Sequence, residues 1–316
     1  MMKAMFKRLL PLALVLIVTP SLLAETKKRV AISFDDIPRH AGAFFTPDER
    51  AAELIDALER AGVEQAGFFV TTGNLKKAHG AGGEKRIAAY VKAGHVIANH
   101  TTTHPWLSRT PVEEYIADLD NAEAWLKGRP GKRDWFRFPY LDEGRRDMEK
   151  RDALRAALKE RGLINGYVTI DNYDWHIDSL ASRAKRDGVT MDMDALRDLY
   201  VETLLDVSNF YDAIAIDTLG RSPAHVILLH ETDLAALFID DLVAAMKEDG
   251  WEIITMDEAY EDPIAEIEPE TMFLGSGRVA ALAHIKGWER RDLVHERTDE
   301  AVLNELFKER VVPQTP

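Results

Sequence analysis

The chain alternates short apolar runs with longer amphipathic stretches over most of its length. Runs rich in Val, Ile and Phe suit a pleated, buried surface and predict strands. These predicted strands cover residues 30–34, 67–71, 95–98, 135–138, 166–170, 226–229 and 252–255. Stretches with apolar residues three or four positions apart predict helices. These predicted helices cover residues 47–61, 84–93, 111–127, 148–161, 194–218 and 234–249.

About seven strands that alternate with helices predict a parallel sheet with helices outside it, because every connection is long enough to cross over. A closed barrel and an open doubly wound sheet both fit this α/β pattern. Since the runs are short and number about seven, we favour a distorted, incomplete (β/α) barrel. Residues 176–192 are polar and predict a long loop before the next helix.

The alternation stops after Tyr260, where the chain becomes acidic and rich in turn residues. A last amphipathic helix is predicted over residues 299–310. The remaining segment of about fifty residues is too short for a separate domain. We therefore expect residues 263–316 to form an extension that packs on the barrel.

The N-terminal residues 1–24 differ in character from the rest of the chain. Lys3, Lys7 and Arg8 precede an unbroken apolar run over residues 9–18, which is typical of a signal peptide. A membrane anchor is the alternative, but ~10 apolar residues are too few, since a membrane span needs roughly 20. We expect this segment to be removed and the protein to be secreted or periplasmic, with no stable membrane anchor.

Charge and cysteine content exclude several classes of partner and site. The net charge of −14 argues against binding to nucleic acid or to an anionic membrane surface. The chain has no cysteine, which excludes disulfides and thiolate metal sites. A metal site in this chain must therefore use histidine and carboxylate ligands. The oligomeric state is left open by these features.

Ionisable and polar residues directly follow five of the predicted strands. These strand ends carry Asp35 with Asp36, His100 with His104, Arg137 with Tyr140, Asp171 with Asp174, and His230. In parallel α/β folds the loops at the carboxyl ends of the strands converge on one mouth. The sequence therefore predicts a functional site at that end of the sheet.

His100 and His104 are candidate metal ligands because a spacing of four places both on one side of a helical turn. Two histidines with one carboxylate leave an open position on zinc, as in catalytic sites. Asp36 is the expected third ligand. Neighbouring residues of a strand point to opposite sides, so Asp35 stays free to act as a base. Each residue alone fits an ordinary loop or core position equally well.

Arg137, Trp175 and His230 each have a structural and a functional interpretation. Arg137 lies in an apolar run and needs a carboxylate partner if it is buried, which Asp35 would provide. Trp175 fits either the core or the apolar wall of a cleft. A lone histidine after an apolar run is commonly structural, but a metal site across the mouth favours a functional role for His230.

Taken in order, these residues resemble the five motifs of the polysaccharide deacetylases, carbohydrate esterase family four. The matching stretches are Ser33-Phe34-Asp35-Asp36, His100-Thr101-Thr102-Thr103-His104, Arg137-Phe138-Pro139-Tyr140, Asp171-Asn172-Tyr173-Asp174-Trp175 and Leu228-Leu229-His230. All five occur in the family order. Ser33 stands where the family has threonine. The family fold is a distorted (β/α) barrel, in agreement with the strand count.

The resemblance implies a role for the residues of the first three motifs. Asp36, His100 and His104 would hold Zn²⁺, or another divalent ion such as Co²⁺ or Ni²⁺. Asp35 would be the general base that takes a proton from the attacking water, and Arg137 would orient it.

The resemblance also implies how the leaving group and the substrate are handled. His230 would be the general acid that protonates the leaving amine, and Asp174 would stabilise its charged form. The backbone N–H of Tyr140 would stabilise the oxyanion. We expect Tyr140, Trp175 and Pro139 to contact the substrate.

The implied activity is removal of N-acetyl groups from a glycan that contains GlcNAc or MurNAc, by a catalytic domain of residues 25–262. Peptidoglycan is favoured over chitin because of the export signal. Alternatives are an O-acetyl esterase acting on xylan, a hydrolase of non-sugar amides, and a catalytically silent glycan-binding protein. A silent binding protein would not need both Asp35 and His230. A phosphate-ester hydrolase would need a second carboxylate-rich metal cluster. The segments 176–222 and 263–316 leave the glycan unidentified.

Overall fold

The computed structural model describes residues 27–313, which form seven strands and ten α-helices. The strands are β1 (Arg29–Ile37), β2 (Gly67–Val70), β3 (Val96–Asn99), β4 (Lys132–Phe136), β5 (Ile164–Asn165), β6 (Ala224–His230) and β7 (Glu252–Ile253). The helices are α1 (Pro47–Arg60), α2 (Gly83–Lys92), α3 (Val112–Leu126), α4 (Met148–Glu160), α5 (Asp174–Arg186), α6 (Met193–Leu219), α7 (Asp233–Glu248), α8 (Met256–Ala259), α9 (Gly277–Ile285) and α10 (Glu300–Arg310). The predicted signal peptide, residues 1–24, lies outside the described residues.

The seven strands form one parallel sheet in the order β5-β4-β3-β2-β1-β6, and β7 pairs with the beginning of β1. The segment that follows β5 reaches from one edge of the sheet to the other. Gly166 donates its N–H to the carbonyl of Phe136 in β4, whereas Ile170 donates its N–H to the carbonyl of Val226 in β6. The sheet therefore curves into an incomplete barrel of about seven strands, which confirms the predicted fold class.

The apolar runs form strands because they are buried on both faces. In β1, Val30, Ala31, Ile32 and Phe34 are fully buried, as expected for a strand with neighbours on both edges and helices outside. β6 lies beside β1 in exact register over seven residue pairs. The two strands that deliver Asp35 and His230 are therefore direct neighbours, and these two residues are paired across them.

α1 illustrates how the predicted helices begin and why they pack where they do. The Thr46 hydroxyl accepts a hydrogen bond from the backbone N–H of Glu49, whose carboxylate accepts one from the N–H of Thr46. This capping box satisfies two N–H groups that the first turn leaves free. Leu54 and Leu58 are fully buried on the inner face, and each contributes about 1.5–3 kcal/mol through removal of apolar surface from water.

The loop predicted over residues 176–192 is wrong, because α5 occupies most of that segment. Ile177, Ala181 and Ala184 recur at helical spacing and are buried, which gives the segment an apolar face despite its polar average. Basic side chains in its last turn suit the negative end of the helix dipole. The chain then turns and enters α6.

The C-terminal segment contacts the outer helices of the barrel. α9 packs against α6, and α10 packs against α5 and α6. The predicted final helix is confirmed as α10. Arg278 at the beginning of α9 is buried, donates to the carbonyls of Ile264 and Ala265, and lies over the ring of Tyr167. The proposed division of the chain into a signal peptide, a catalytic domain and an extension stays a prediction.

Among the helices of residues 27–313, none combines the length and the apolar character that a membrane span requires.

Candidate active site

β1 carries two acids into the mouth of the barrel, but a bulge changes their directions. The pairing of β1 with β2 shifts register between Phe34 and Ile37, and Asp36 has a φ of +71°. Strand alternation predicted that the two acids point to opposite sides. Instead, Nε2 of His100 lies 3.7 Å from Oδ2 of Asp35 and 3.5 Å from Oδ1 of Asp36. The left-handed backbone at Asp36 is a local strain of the kind that clusters at functional sites.

His100 and His104 lie on a loop rather than on the helical turn that their spacing suggested. Thr101 and His104 have φ values of +67° and +61°, which no helix allows. The side chain of Asn99 accepts from the N–H of Thr101, and the Thr101 hydroxyl accepts from the N–H of His104. These bonds replace helical ones and bring the two imidazole centroids within 4.9 Å. The predicted proximity holds, for a different reason.

Asp36, His100 and His104 fit a single divalent cation. One ligand atom of each lies within 4.8 Å of the other two. Oδ1 of Asp36 is 3.0 Å from Nε2 of His104 and 3.5 Å from Nε2 of His100. Ligands about 2.0–2.2 Å from a tetrahedral zinc ion are separated by comparable distances. Two imidazoles and one carboxylate also leave a position open for water, as catalytic zinc sites require.

The surroundings of the ligand set favour cation binding. Nδ1 of His100 lies 2.9 Å from the carbonyl oxygen of Arg137, which can only accept, so Nδ1 carries the proton and Nε2 keeps its lone pair for a metal. Burial opposes ionisation of Asp36, but its contacts with His100 and His104 outweigh burial and hold its pKa well below the ordinary value. Oδ2 of Asp36 also accepts a hydrogen bond from Arg39 at 3.0 Å.

Arg137 fixes the orientation of Asp35. Its Nη1 donates to Oδ1 of Asp35 at 2.7 Å and to the hydroxyl of Ser33 at 2.8 Å. Its Nε donates to the carbonyl of Gly166 at 2.6 Å, and the guanidinium lies over the ring of Phe69. Asp35 and Arg137 are both buried. The guanidinium thus compensates a buried carboxylate at Oδ1 and leaves Oδ2 of Asp35 facing the ligand atoms.

His230 and Asp174 form a second acid–imidazole pair on β6 and at the beginning of α5. Oδ1 of Asp174 lies 2.8 Å from Nδ1 of His230, and Oδ2 accepts from the backbone N–H of His230 at 2.7 Å. Burial opposes protonation of His230, but the Asp174 carboxylate outweighs it and raises its pKa. Nε2 is left as the proton-donating nitrogen, which is the arrangement a general acid needs.

These groups open onto one cleft of about 580 Å³. The predicted residues that line it are Asp35, Asp36, His100, His104, Tyr140, Trp175 and His230. Tyr140 has a φ of +59° and a ring that stacks on Trp106 with 3.7 Å between centroids. Pro139 is buried beneath this turn and does not appear in the wall, so its expected contact with substrate stays a prediction.

Several residues of the cleft were missed by sequence reasoning. Trp106 follows the second motif by two positions, and its place in the wall depends on the stacking with Tyr140. Arg39 and Glu300 reach the cleft from distant segments, and no local pattern marks them. Asp171 belongs to the fourth motif but was given no role. It lines the cleft, and burial raises its pKa to about 7.

Comparison with known proteins agrees with this arrangement. Residues 23–162 match the family model described as polysaccharide deacetylase. A peptidoglycan-N-acetylglucosamine deacetylase of Bacillus cereus is 27% identical over 241 residues, which cover 74% of this chain and 69% of that protein.

Two solved structures show the same fold at low sequence identity. The polysaccharide deacetylase Bc1974 from Bacillus cereus has a TM-score of 0.51 and 22% identity, over 72% of this chain and 92% of that one. A mutant of BA3943, a pseudoenzyme of carbohydrate esterase family four, has a TM-score of 0.51 and 18% identity, over 74% of this chain and 67% of that one.

The segment matched by the family model contains the first three motifs, from Asp35 and Asp36 through Arg137 and Tyr140. His230 of the fifth motif lines the same cleft, and Asp174 of the fourth motif is buried behind it and bonded to it. Residues 23–162 thus match the polysaccharide deacetylase family in sequence, and the barrel and the candidate site of the chain agree with that match.

Proposed function

We propose that this protein removes N-acetyl groups from a GlcNAc- or MurNAc-containing glycan, with peptidoglycan favoured over chitin. The observation that carries the proposal is that a candidate base, Asp35, and a candidate acid, His230, line one cleft together with a site fit for a divalent cation. Hydrolysis of an amide needs a base on one side and an acid on the other. The name of the Bacillus cereus relative supports N-acetylglucosamine in peptidoglycan as the substrate.

Asp36, His100 and His104 hold the cation in this proposal. When bound, Zn²⁺ or a similar ion supplies Lewis acidity that polarises the acetyl carbonyl and makes a water molecule more acidic. Neighbouring residues of the chain fix the orientation of these ligands. The carbonyl of Arg137 fixes the tautomer of His100, and Arg39 holds the second oxygen of Asp36. Such partners orient the ligands of a metal and tune their basicity.

Asp35 acts as the base in the first step. Its Oδ1 is occupied by Arg137, so Oδ2 is the oxygen directed at the ligand atoms, 3.7 Å from Nε2 of His100. A water molecule gives one proton to Oδ2 while its oxygen forms a bond with the acetyl carbon. The backbone N–H of Tyr140 is our proposed donor to the oxyanion that develops.

His230 acts as the acid in the second step. Nδ1 is held by Asp174, so Nε2 gives its proton to the amide nitrogen as the carbon–nitrogen bond breaks. The products are acetate and a free amine on the sugar. The neutralised His230 and the protonated Asp35 return to their starting states by proton exchange with solvent.

The aromatic wall positions the sugar. The stacked rings of Trp106 and Tyr140 form one side of the cleft, and Trp175 lies on the other at the end of the fourth motif. Flat aromatic faces suit the apolar faces of sugar rings and exclude water from the reacting group.

Acetate release tests the proposal. The purified protein, loaded with Zn²⁺, Co²⁺ or Ni²⁺, is incubated with peptidoglycan, chitooligosaccharides and acetylxylan, and acetate is measured. We expect release from an N-acetylated glycan and loss of that release in Asp35→Asn. Asp212→Asn is a matched control, because Asp212 pairs with a different buried histidine, His225, away from the cleft.

Other outcomes would contradict the proposal. Release from acetylxylan alone would instead make the protein an O-acetyl esterase. Retention of glycan binding without any turnover, in a protein shown to contain metal, would indicate a silent binding protein.

A further inference from the structure

A second hollow of about 340 Å³ opens beside the cleft, on the far side of the candidate metal ligands. Asp36, Arg39, His104 and Tyr140 line both spaces, so the two spaces adjoin and a chain of sugars that extends beyond the cleft would have room in this hollow. Pockets for small ligands begin at about 300 Å³. The hollow therefore has room for a group the size of a sugar unit.

The hollow is basic, although the protein as a whole is strongly acidic. Lys77, His79, His40 and Arg39 all line it, and among its described lining residues the only carboxylate is that of Asp36. The net charge of the chain is −14. A local excess of cationic and imidazole groups on such a protein favours an anionic ligand at this point.

Lys77 is held in place without a neutralising partner. Its Nζ donates to Oδ1 of Asn74 at 2.8 Å, and Nδ2 of Asn74 donates to the carbonyl of Asp36 at 3.3 Å. Asn74 thus ties the ammonium to the strand that bears the metal ligand. Within residues 27–313, no carboxylate forms an ion pair with Lys77.

Two imidazoles of the hollow, apart from that of the candidate metal ligand His104, lie beside each other. The rings of His40 and His79 are 6.1 Å apart, edge to face. The pKa of His79 is lowered by burial and then by the positive charges of Lys77, His40 and Arg86. A bound anion would oppose those charges and raise that pKa, which offers a spectroscopic signal for occupancy.

The wall formed by residues 39 and 40 is anchored from beneath. Buried Arg50 donates to the carbonyls of Arg39 and His40, and Oε2 of Glu231 accepts the backbone N–H of Arg39 at 2.9 Å. Glu231 directly follows His230, so the same loop supports both the hollow and the general acid. A preformed wall of this kind lowers the entropic cost of binding.

We propose that this hollow binds the carboxylate of an acidic sugar that neighbours the sugar being deacetylated, through Lys77 and His79. The inference rests on the proposed function and narrows its substrate class to a glycan with a carboxylate-bearing unit. Arg39 is paired with Asp36, and His104 is a candidate metal ligand. The ammonium group of Lys77 and the imidazoles of His40 and His79 remain for the ligand, and these match a singly charged carboxylate better than a doubly charged phosphate ester.

A matched pair of substrates tests the inference. GlcNAc–MurNAc oligosaccharides are compared with the same compounds in which the lactyl carboxylate is converted to a methylamide. We expect the wild-type protein to show a higher kcat/KM for the acid. Lys77→Met should lower kcat/KM for the acid about tenfold, roughly 1.4 kcal/mol, and leave the amide within about twofold. Lys76→Met is the control, because Lys76 is a neighbouring exposed lysine that does not line the hollow.

Equal kcat/KM for acid and amide in the wild type would overturn the inference, as would an equal loss on both substrates in Lys77→Met. Acetate release from the amide or from chitooligosaccharides would still support the proposed function, so the two ideas fail separately.

Binding to the Asp35→Asn variant removes any dependence on turnover. We expect the acid oligosaccharide, and not its amide, to shift the ring proton of His79 and to raise its pKa in an NMR titration. An additional titration uses inorganic phosphate. A response of His79 to phosphate but not to the acid oligosaccharide would contradict the assignment to a carboxylate.

Discussion

The guanidinium of Arg137 and the carboxylate of Asp35, both buried, are joined by a hydrogen bond of 2.7 Å. The backbone carbonyl of the same arginine lies 2.9 Å from Nδ1 of His100. One residue therefore orients the proposed base through its side chain and a candidate metal ligand through its main chain. Substitution of Arg137 removes the charged hydrogen bond to Asp35, whereas the backbone contact with His100 persists.

Arg137→Met should leave Asp35 as an unpaired buried charge. We expect unfolding free energy to fall by about 3–5 kcal/mol and kcat/KM to fall at least roughly 100-fold, about 2.7 kcal/mol. Arg137→Lys keeps the charge without the forked geometry and should recover part of both. Denaturant unfolding and acetate-release kinetics measure the two effects. Arg278→Met is the control for loss of a buried arginine outside the cleft, and a comparable loss of kcat/KM there would contradict the assigned role.

The Asp174–His230 pair predicts the alkaline limb of the pH–rate profile. Asp174 raises the pKa of His230 against the opposing effect of burial. The acid must be protonated, so activity is present at low pH and is lost as the pH rises through that pKa. Asp174→Asn should move the alkaline limb of kcat/KM to lower pH, because the stabilising charge is gone.

The same pair also contributes to the free energy of unfolding, and this contribution, like the activity, is lost as the pH rises. Since the folded pKa of His230 is raised, that contribution is complete below the unfolded pKa and disappears as the pH rises through the folded one. Asp212→Asn, which alters the His225 pair, should leave the activity profile in place. An unchanged alkaline limb in Asp174→Asn would exclude His230 as the acid that this limb reports.

Asp171 also predicts a loss of stability with rising pH, which is the reverse of what a carboxylate with a lowered pKa contributes. Burial raises its pKa to about 7, so the folded protein binds this proton more tightly than the unfolded chain. Stability should therefore decline as the pH rises from about 4 to about 7. Asp171→Asn removes the titration, so its Tm should decline less over that window and exceed that of the wild type at neutral pH. Parallel Tm–pH curves for the two proteins would contradict this.

The ligand set predicts a metal-dependent stability. A chelator should abolish acetate release and lower Tm, and added Zn²⁺ should restore both, because an ion that binds only the folded state stabilises it. His104→Ala should lower the bound metal per chain and remove most of the Tm increase. His40→Gln alters an exposed histidine outside the ligand set and should retain both. Full metal content in His104→Ala would exclude it as a ligand.

Local pattern determined most of the secondary structure. Most strands and helices of the barrel were predictable, because strands buried on both faces are continuous apolar runs and helices buried on one face carry apolar residues at helical spacing. The strand predicted over residues 166–170 is wrong, because β5 is Ile164–Asn165 and within 166–170 only Ile170 forms an isolated bridge, to Ile227. The segment of α5 is another exception, because its buried residues Ile177, Ala181 and Ala184 are few and are separated by charged residues. There the polar average concealed a helical period.

By itself the sequence determined the fold class, the metal-ligand candidates and the acid and base candidates, because strand ends in a parallel barrel share one mouth. Only the tertiary structure decided how they meet. The left-handed backbone of Asp36 and His104 turns side chains toward one point. The first lies where the pairing of β1 with β2 shifts register, and the second lies in a loop held by the side chains of Asn99 and Thr101, contacts that leave no periodic pattern in the sequence. The positions of Trp106 and Lys77 likewise depend on the folded structure, because each is held by a neighbouring side chain that no periodic pattern in the sequence identifies.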